Sequence, residues 1–87
     1  MYWNAVNNFL YRFMAKYEHA PSHIKMSREF YENLEREMIG AQWLFLVKCN
    51  KIRGLDIIQD DSQIMFSIVG KEGDELMVDS FNRTKYY

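Results

Sequence analysis

Trp43-Leu44-Phe45-Leu46-Val47 is the longest fully apolar run in the chain, and its conformation decides how the second half is built. With no polar residue on either face it reads as a strand in the middle of a sheet or under a partner, although so short a run also suits a buried loop or helix. It falls far below the roughly 20 residues that a bilayer-spanning helix needs. Taken as a strand, it opens a strand-rich half over residues 42–80. Asn50-Lys51 looks like a turn, and Gly54 interrupts the next segment as a bulge or bend. Leu55-Asp56-Ile57-Ile58-Gln59 makes another strand and Asp60-Asp61-Ser62-Gln63 a polar turn. Ile64 to Val69 comes after it, with Ile64, Phe66 and Ile68 on one face. Gly70 to Asp74 is a hairpin connection into Leu76-Met77-Val78, and residues 81–87 form a polar-aromatic tail.

Upstream of that half the period changes to 3.6. Trp3, Val6, Phe9, Leu10, Phe13, Met14 and Tyr17 recur at steps of three and four, which predicts a helix over about residues 3–18 with one broad apolar stripe. Pro21 ends the segment, because its ring disfavours helix at Ala20 and removes a donor. His23 to Met26 can form a short strand. Ser27 then offers a hydroxyl cap to a second helix over about residues 28–39, with Glu29 in the first turn and Gly40 placed to stop it. Met26 and Tyr31 occupy the staple positions, and Phe30, Leu34 and Met38 step by four along the inward face.

The chain has 87 residues, 48% of them hydrophobic and 26% charged, so one folded domain over residues 1–87 is expected. Its formal net charge of −1 removes whole-domain attraction to phosphate backbones or anionic lipid. A single cysteine, Cys49, and an N-terminus without a basic region leading into an apolar stretch favour a cytoplasmic setting. Chemistry-bearing constellations are weak. Asp56, Asp60 and Asp61, with Asp74 and Glu75, could gather around a hard cation, but acidic turn residues explain them better. His19 and His23 are separated by Pro21, so they cannot share a helical ligand face and are expected at the surface. Cys49 lacks a neighbouring base, and no nucleophile elbow, phosphate loop or dinucleotide fingerprint occurs. No enzymatic activity, metal, cofactor or small-molecule substrate is expected.

His23-Ile24-Lys25-Met26-Ser27-Arg28-Glu29-Phe30-Tyr31-Glu32-Asn33-Leu34, then Lys51 to Asp61, Ile64 to Gly70 and Leu76 to Asp79, together resemble a pattern in the peripheral domain of tailed-phage major capsid proteins. There a short strand leads into a helix, a glycine-bearing strand ends in a polar turn, and a further strand precedes a glycine. The chain lacks that family's long arm, extended loop and axial domain. The resemblance implies a small phage- or prophage-type protein and carries no active site with it.

The expected architecture is therefore α+β, with two helices on one face of a mainly antiparallel sheet of about four strands, which Ile24 to Met26 can join. The expected function is non-enzymatic: self-association, or binding of a phage or host protein, as a virion assembly factor or an inhibitor. So small a domain cannot hide all its large apolar residues, which makes Tyr2, Trp3, Phe9 and Trp43 the candidate contacts. The alternative is a small nucleic-acid-binding protein using Lys48, Lys51 and Arg53, with acidic residues interleaved among its other cations.

Overall fold

The computed structural model describes residues 1–81; the tail proposed for residues 81–87 therefore lies, beyond Phe81, outside the described residues. The fold is α+β, and its elements run α1 (Tyr2–Tyr17), β1 (Pro21–Met26), α2 (Arg28–Glu37), α3 (Gly40–Cys49), β2 (Lys51–Ile52), β3 (Leu55–Gln59), β4 (Phe66–Gly70) and β5 (Glu75–Val78). The sheet is mixed and five-stranded, in the order β2-β3-β1-β4-β5, which corrects the expected four-stranded, mainly antiparallel arrangement. The short segment around Ile24 is not peripheral but central. It pairs antiparallel with β4, with Ile24 opposite Ile68, and parallel with β3, with Ile24 opposite Ile57.

The registers place Ile24, Met26, Ile57, Phe66, Ile68, Leu76 and Val78 on one face, and all are buried. α1 and α2 lie over this face. The Phe66 ring meets Phe9 of α1 at 6.1 Å and Phe30 of α2 at 5.0 Å, so a single side chain of β4 joins both helices to the sheet. Each fully buried aromatic or aliphatic side chain here contributes on the order of 1.5–3 kcal/mol. The opposite face carries His23, Lys25, Asp56, Ile58 and Glu75 and is open to varying degrees. Ser67, buried there, donates its hydroxyl to Gln63 Oε1 at 2.6 Å, so burial leaves no polar atom unpaired at this point.

Local chemistry explains the ends of most elements. Ser27 caps α2 by accepting the Phe30 N–H at 3.2 Å, as its position predicts. α2 stops at Glu37 rather than at Gly40; the glycine, at φ +68°, instead turns the chain into α3. Trp43 to Val47 is thus helical, not extended, and Asn50 is the left-handed C-cap of that helix rather than the first half of a turn. Arg53 and Gly54, at φ +50° and +81°, form a two-residue hairpin loop between β2 and β3, which is the twist-compatible turn that a glycine at its second position permits. Ile64 falls outside β4 and is 72% exposed. The hairpin from Gly70 to Asp74 is present, closed by the Gly70 N–H to the Asp74 carbonyl at 2.7 Å.

α1 begins without a cap of its own, since Met1 offers no side-chain acceptor. Glu37, at the far end of α2, supplies it: its carboxylate accepts from the Tyr2 and Trp3 backbone N–H groups, each at 2.9 Å, and from the Met1 amino group at 2.8 Å. Burial pushes the Glu37 carboxyl up, and these donors together outweigh it, so the group is held below the ordinary value of 4.5. A carboxylate that is more acidic folded than unfolded stabilises the fold above the unfolded pKa and loses that contribution as pH falls through the folded one. Replacing Glu37 with Gln is expected to cost about 1 kcal/mol near pH 7, given a cap partly open to water. Thermal melts from pH 7 down to pH 3 should show wild type and variant converging below the ordinary glutamate pKa; a constant gap would assign Glu37 a packing role instead.

Candidate functional site

α3 is built unlike the other two helices. Its ten residues, Gly40-Ala41-Gln42-Trp43-Leu44-Phe45-Leu46-Val47-Lys48-Cys49, carry apolar side chains all round, a composition that ordinarily belongs to a helix enclosed by protein. Only Leu46 is buried. Trp43 is 38% exposed, Leu44 49%, Phe45 61% and Val47 37%, and Ile39, just before the helix, is 81% exposed. At 100° per residue, Gly40, Trp43, Leu44 and Val47 follow the i, i+3, i+4, i+7 spacing of one stripe. Leu46 is the residue turned inward; Trp43 lies about 60° from it around the axis and Leu44 about 160°, so Leu44 faces most nearly away from the core.

Support for α3 from its own chain is thin. Ile39 gives no side-chain cap to its N-terminus, and ten residues are too few for a helix to be stable by local bonds alone. Leu46 anchors it in the core, and the Tyr31 hydroxyl of α2 donates to the Leu46 carbonyl at 3.2 Å. Burial pushes the Tyr31 hydroxyl above its ordinary pKa, so it remains a donor through the neutral range. Beside the helix a groove of about 230 Å³ has Trp3, Met38, Phe45 and Ile52 as its apolar lining, with Gln42, Lys51 and Arg53 around it. Trp3 and Phe45 thus line one apolar groove although they are far apart in sequence.

Of the four contacts expected from the sequence, the structure separates two from two. Phe9 is 1% exposed and packs on Phe66, so it belongs to the core and is corrected out of the candidate surface. Tyr2 is half-buried, its ring edge-on to Phe30 at 5.2 Å and to Phe81 at 5.1 Å, which makes it part of the core margin. Trp3 lines the groove and Trp43 lies on the outward stripe. Leu44, Phe45 and Val47 are the surface residues that reading the run as a strand conceals; Ile39, expected as the last residue of the second helix, is exposed as well. Their signal is in the sequence all the same: Gly40 opens a ten-residue run with no polar face.

The three cations of the nucleic-acid alternative do not form an uncommitted patch. Lys51 pairs with Asp56 at 2.8 Å, and the Arg53 guanidinium donates to Asn7 Oδ1 at 2.7 Å with the Tyr11 ring 5.9 Å away. Lys48 is exposed at the end of α3. The acidic grouping disperses as well. Asp60 accepts from the Ser62 hydroxyl and N–H, which hold its carboxyl below the ordinary range, while Asp61 accepts from the Arg28 N–H. His19, expected merely at the surface, is half-buried against Asp74, its Nε2 lying 2.7 Å from Asp74 Oδ2. That bond, followed by the Ala20 carbonyl, raises the His19 pKa.

No helix among the described residues is long and apolar enough to cross a membrane. No protein-family model, no curated protein and no solved structure matches the chain. The contrast between the one anchoring side chain of α3 and its outward ones is directly measurable. Leu46→Ala should destabilise the fold by about 2–5 kcal/mol in urea titration, whereas Phe45→Ala, removing a largely exposed ring, should change it by less than about 1 kcal/mol. Equal losses at the two positions would mean that Phe45 is enclosed in solution.

Proposed function

We propose that the chain is a non-enzymatic interaction protein that assembles with a second copy of itself through the outward face of α3. The observation that carries this is a helix with apolar residues on every side, of which one is buried in its own fold. Isolated exposed hydrophobics are ordinary, but Trp43, Leu44 and Val47 share one stripe, with Ile39 and Phe45 also exposed on or beside the same helix. A standard interface takes about 800 Å² from each partner, so the stripe needs the polar margin of α3 and α2 to complete it.

Charge favours a second copy as the occupant. With a net charge of −1, two chains repel each other little. Lys48 is exposed at the end of α3, whereas α2, packed beside α3, carries Glu29, Glu32 and Glu35. Each copy therefore brings a cation and acidic side chains to the margin of the apolar stripe, and those of two copies can be matched. Trp43 is the expected centre of the contact, since tryptophan is prominent among residues that dominate binding energy. A phage or prophage setting rests on the sequence pattern over residues 23–79, and an assembly role suits a protein that self-associates.

Light scattering over about 5–500 µM tests this. The wild type should reach the dimer mass, and Leu44→Glu, which places a charge on the stripe without touching the core, should remain a folded monomer whose melting temperature does not rise with protein concentration as that of the wild type does. A wild type that stays monomeric throughout would overturn self-association and leave α3 to a foreign protein.

A further inference from the structure

Three potential metal-ligating side chains meet away from α3, at the opposite end of their own elements. His19 follows the C-terminus of α1, while Glu72 and Asp74 belong to the hairpin between β4 and β5. One ligand atom from each lies within 4.8 Å of the other two. We propose that His19, Glu72 and Asp74 form a binding site for a divalent transition ion of the zinc class.

The donor set suits such an ion. Imidazole nitrogen selects for zinc and its neighbours over calcium or magnesium, and two carboxylates neutralise a double charge. Zinc holds nitrogen and oxygen at about 2.0–2.2 Å, so tetrahedral donors stand about 3.4 Å apart. The imidazole and Asp74, now at 2.7 Å, would separate slightly, and Glu72, exposed on the hairpin, would close in by a change of rotamer. The chain supplies three ligands among the described residues, which leaves a fourth position for water.

The histidine is already oriented for the task. Its Nδ1 lies 3.1 Å from the Ala20 carbonyl, an acceptor that keeps a proton on that nitrogen and directs Nε2 at the carboxylates. Backbone carbonyls fix the tautomer of ligating histidines in this way. The ring is also held sterically. It stands edge-on to Phe13 at 5.7 Å, and a Cβ on Gly70 would lie 2.8 Å from its Cε1, so the absence of a side chain at Gly70 is what lets the ring rest against β4. An ion on Nε2 displaces to solvent any proton that nitrogen shares with Asp74, while Nδ1 keeps its proton on the Ala20 carbonyl. The ion would thus join the end of α1 to the hairpin where the His19–Asp74 contact now does.

Zinc chloride titrated into the chain, carrying no polyhistidine tag, tests the site by calorimetry and by thermal melting. One ion per chain and a rise of several degrees in melting temperature are expected. His19→Ala and Asp74→Asn should each weaken binding at least about tenfold and Glu72→Gln less, while His23→Ala and Cys49→Ser should leave it unchanged. Should His19→Ala fail to fold, Asp74→Asn and Glu72→Gln decide alone. No heat and no shift in the wild type would overturn the proposal, as would binding that survives Asp74→Asn or disappears in Cys49→Ser.

Discussion

β1 is hydrogen-bonded on both sides, antiparallel to β4 and parallel to β3, and the parallel pairing constrains everything between them. Antiparallel neighbours can be joined by a tight turn, whereas parallel ones require the chain to cross back over the sheet. Residues 27–54 make that return, and they contain α2, α3 and β2. Five strands at about 4.8 Å spacing are about 19 Å wide between their outer axes, and packed helices stand 8–10 Å apart. α1 and α2 together occupy that width. The third helix of the crossover has no sheet left to cover, and it lies against α2 and the edge strand β2 with Leu46 as its buried anchor.

An apolar surface on α3 is therefore a consequence of topology joined to composition. Had residues 41–47 been charged, the crossover could have closed in the same way and left an ordinary solvated helix. Instead they include Trp43, Leu44, Phe45 and Val47, which keep between 37% and 61% of their surface in water. A domain of this size is stabilised by a few kcal/mol net, so a helix with no N-terminal cap and one core side chain is among its weakest parts. Cover from a second copy would stabilise the helix and remove the exposed area together. On the proposed self-association, assembly and the integrity of α3 would be one equilibrium.

Local chemistry makes some of the structure legible from the sequence. Ser27 and Glu29 announce α2, the stripe from Trp3 to Tyr17 announces α1, and Gly70 to Asp74 announces the last hairpin; each signal resides within a few adjacent residues. The features that local chemistry does not reveal depend on partners distant in sequence. Trp43 to Val47 has no period by which helix and strand could be told apart, and it forms the last helix of the crossover, just before the edge strand β2. His23 to Met26 reads from the sequence only as a short strand able to join the sheet, and its neighbours on both sides come from residues 56–70. Phe9 and Trp3 belong to one helical stripe; only the position of α1 over Phe66 decides that the first is enclosed while the second lines a groove. His19 and Asp74 are 55 residues apart, and no local pattern joins them.

Tryptophan emission reports most directly whether the outward face of α3 is covered in solution. In a Trp3→Phe variant Trp43 is the sole tryptophan, and its emission maximum can be followed from sub-micromolar to millimolar concentration. Burial of the ring against a second copy predicts a blue shift that grows with concentration, saturates, and reverses on dilution. An emission maximum that does not move with concentration over the whole range would contradict the account.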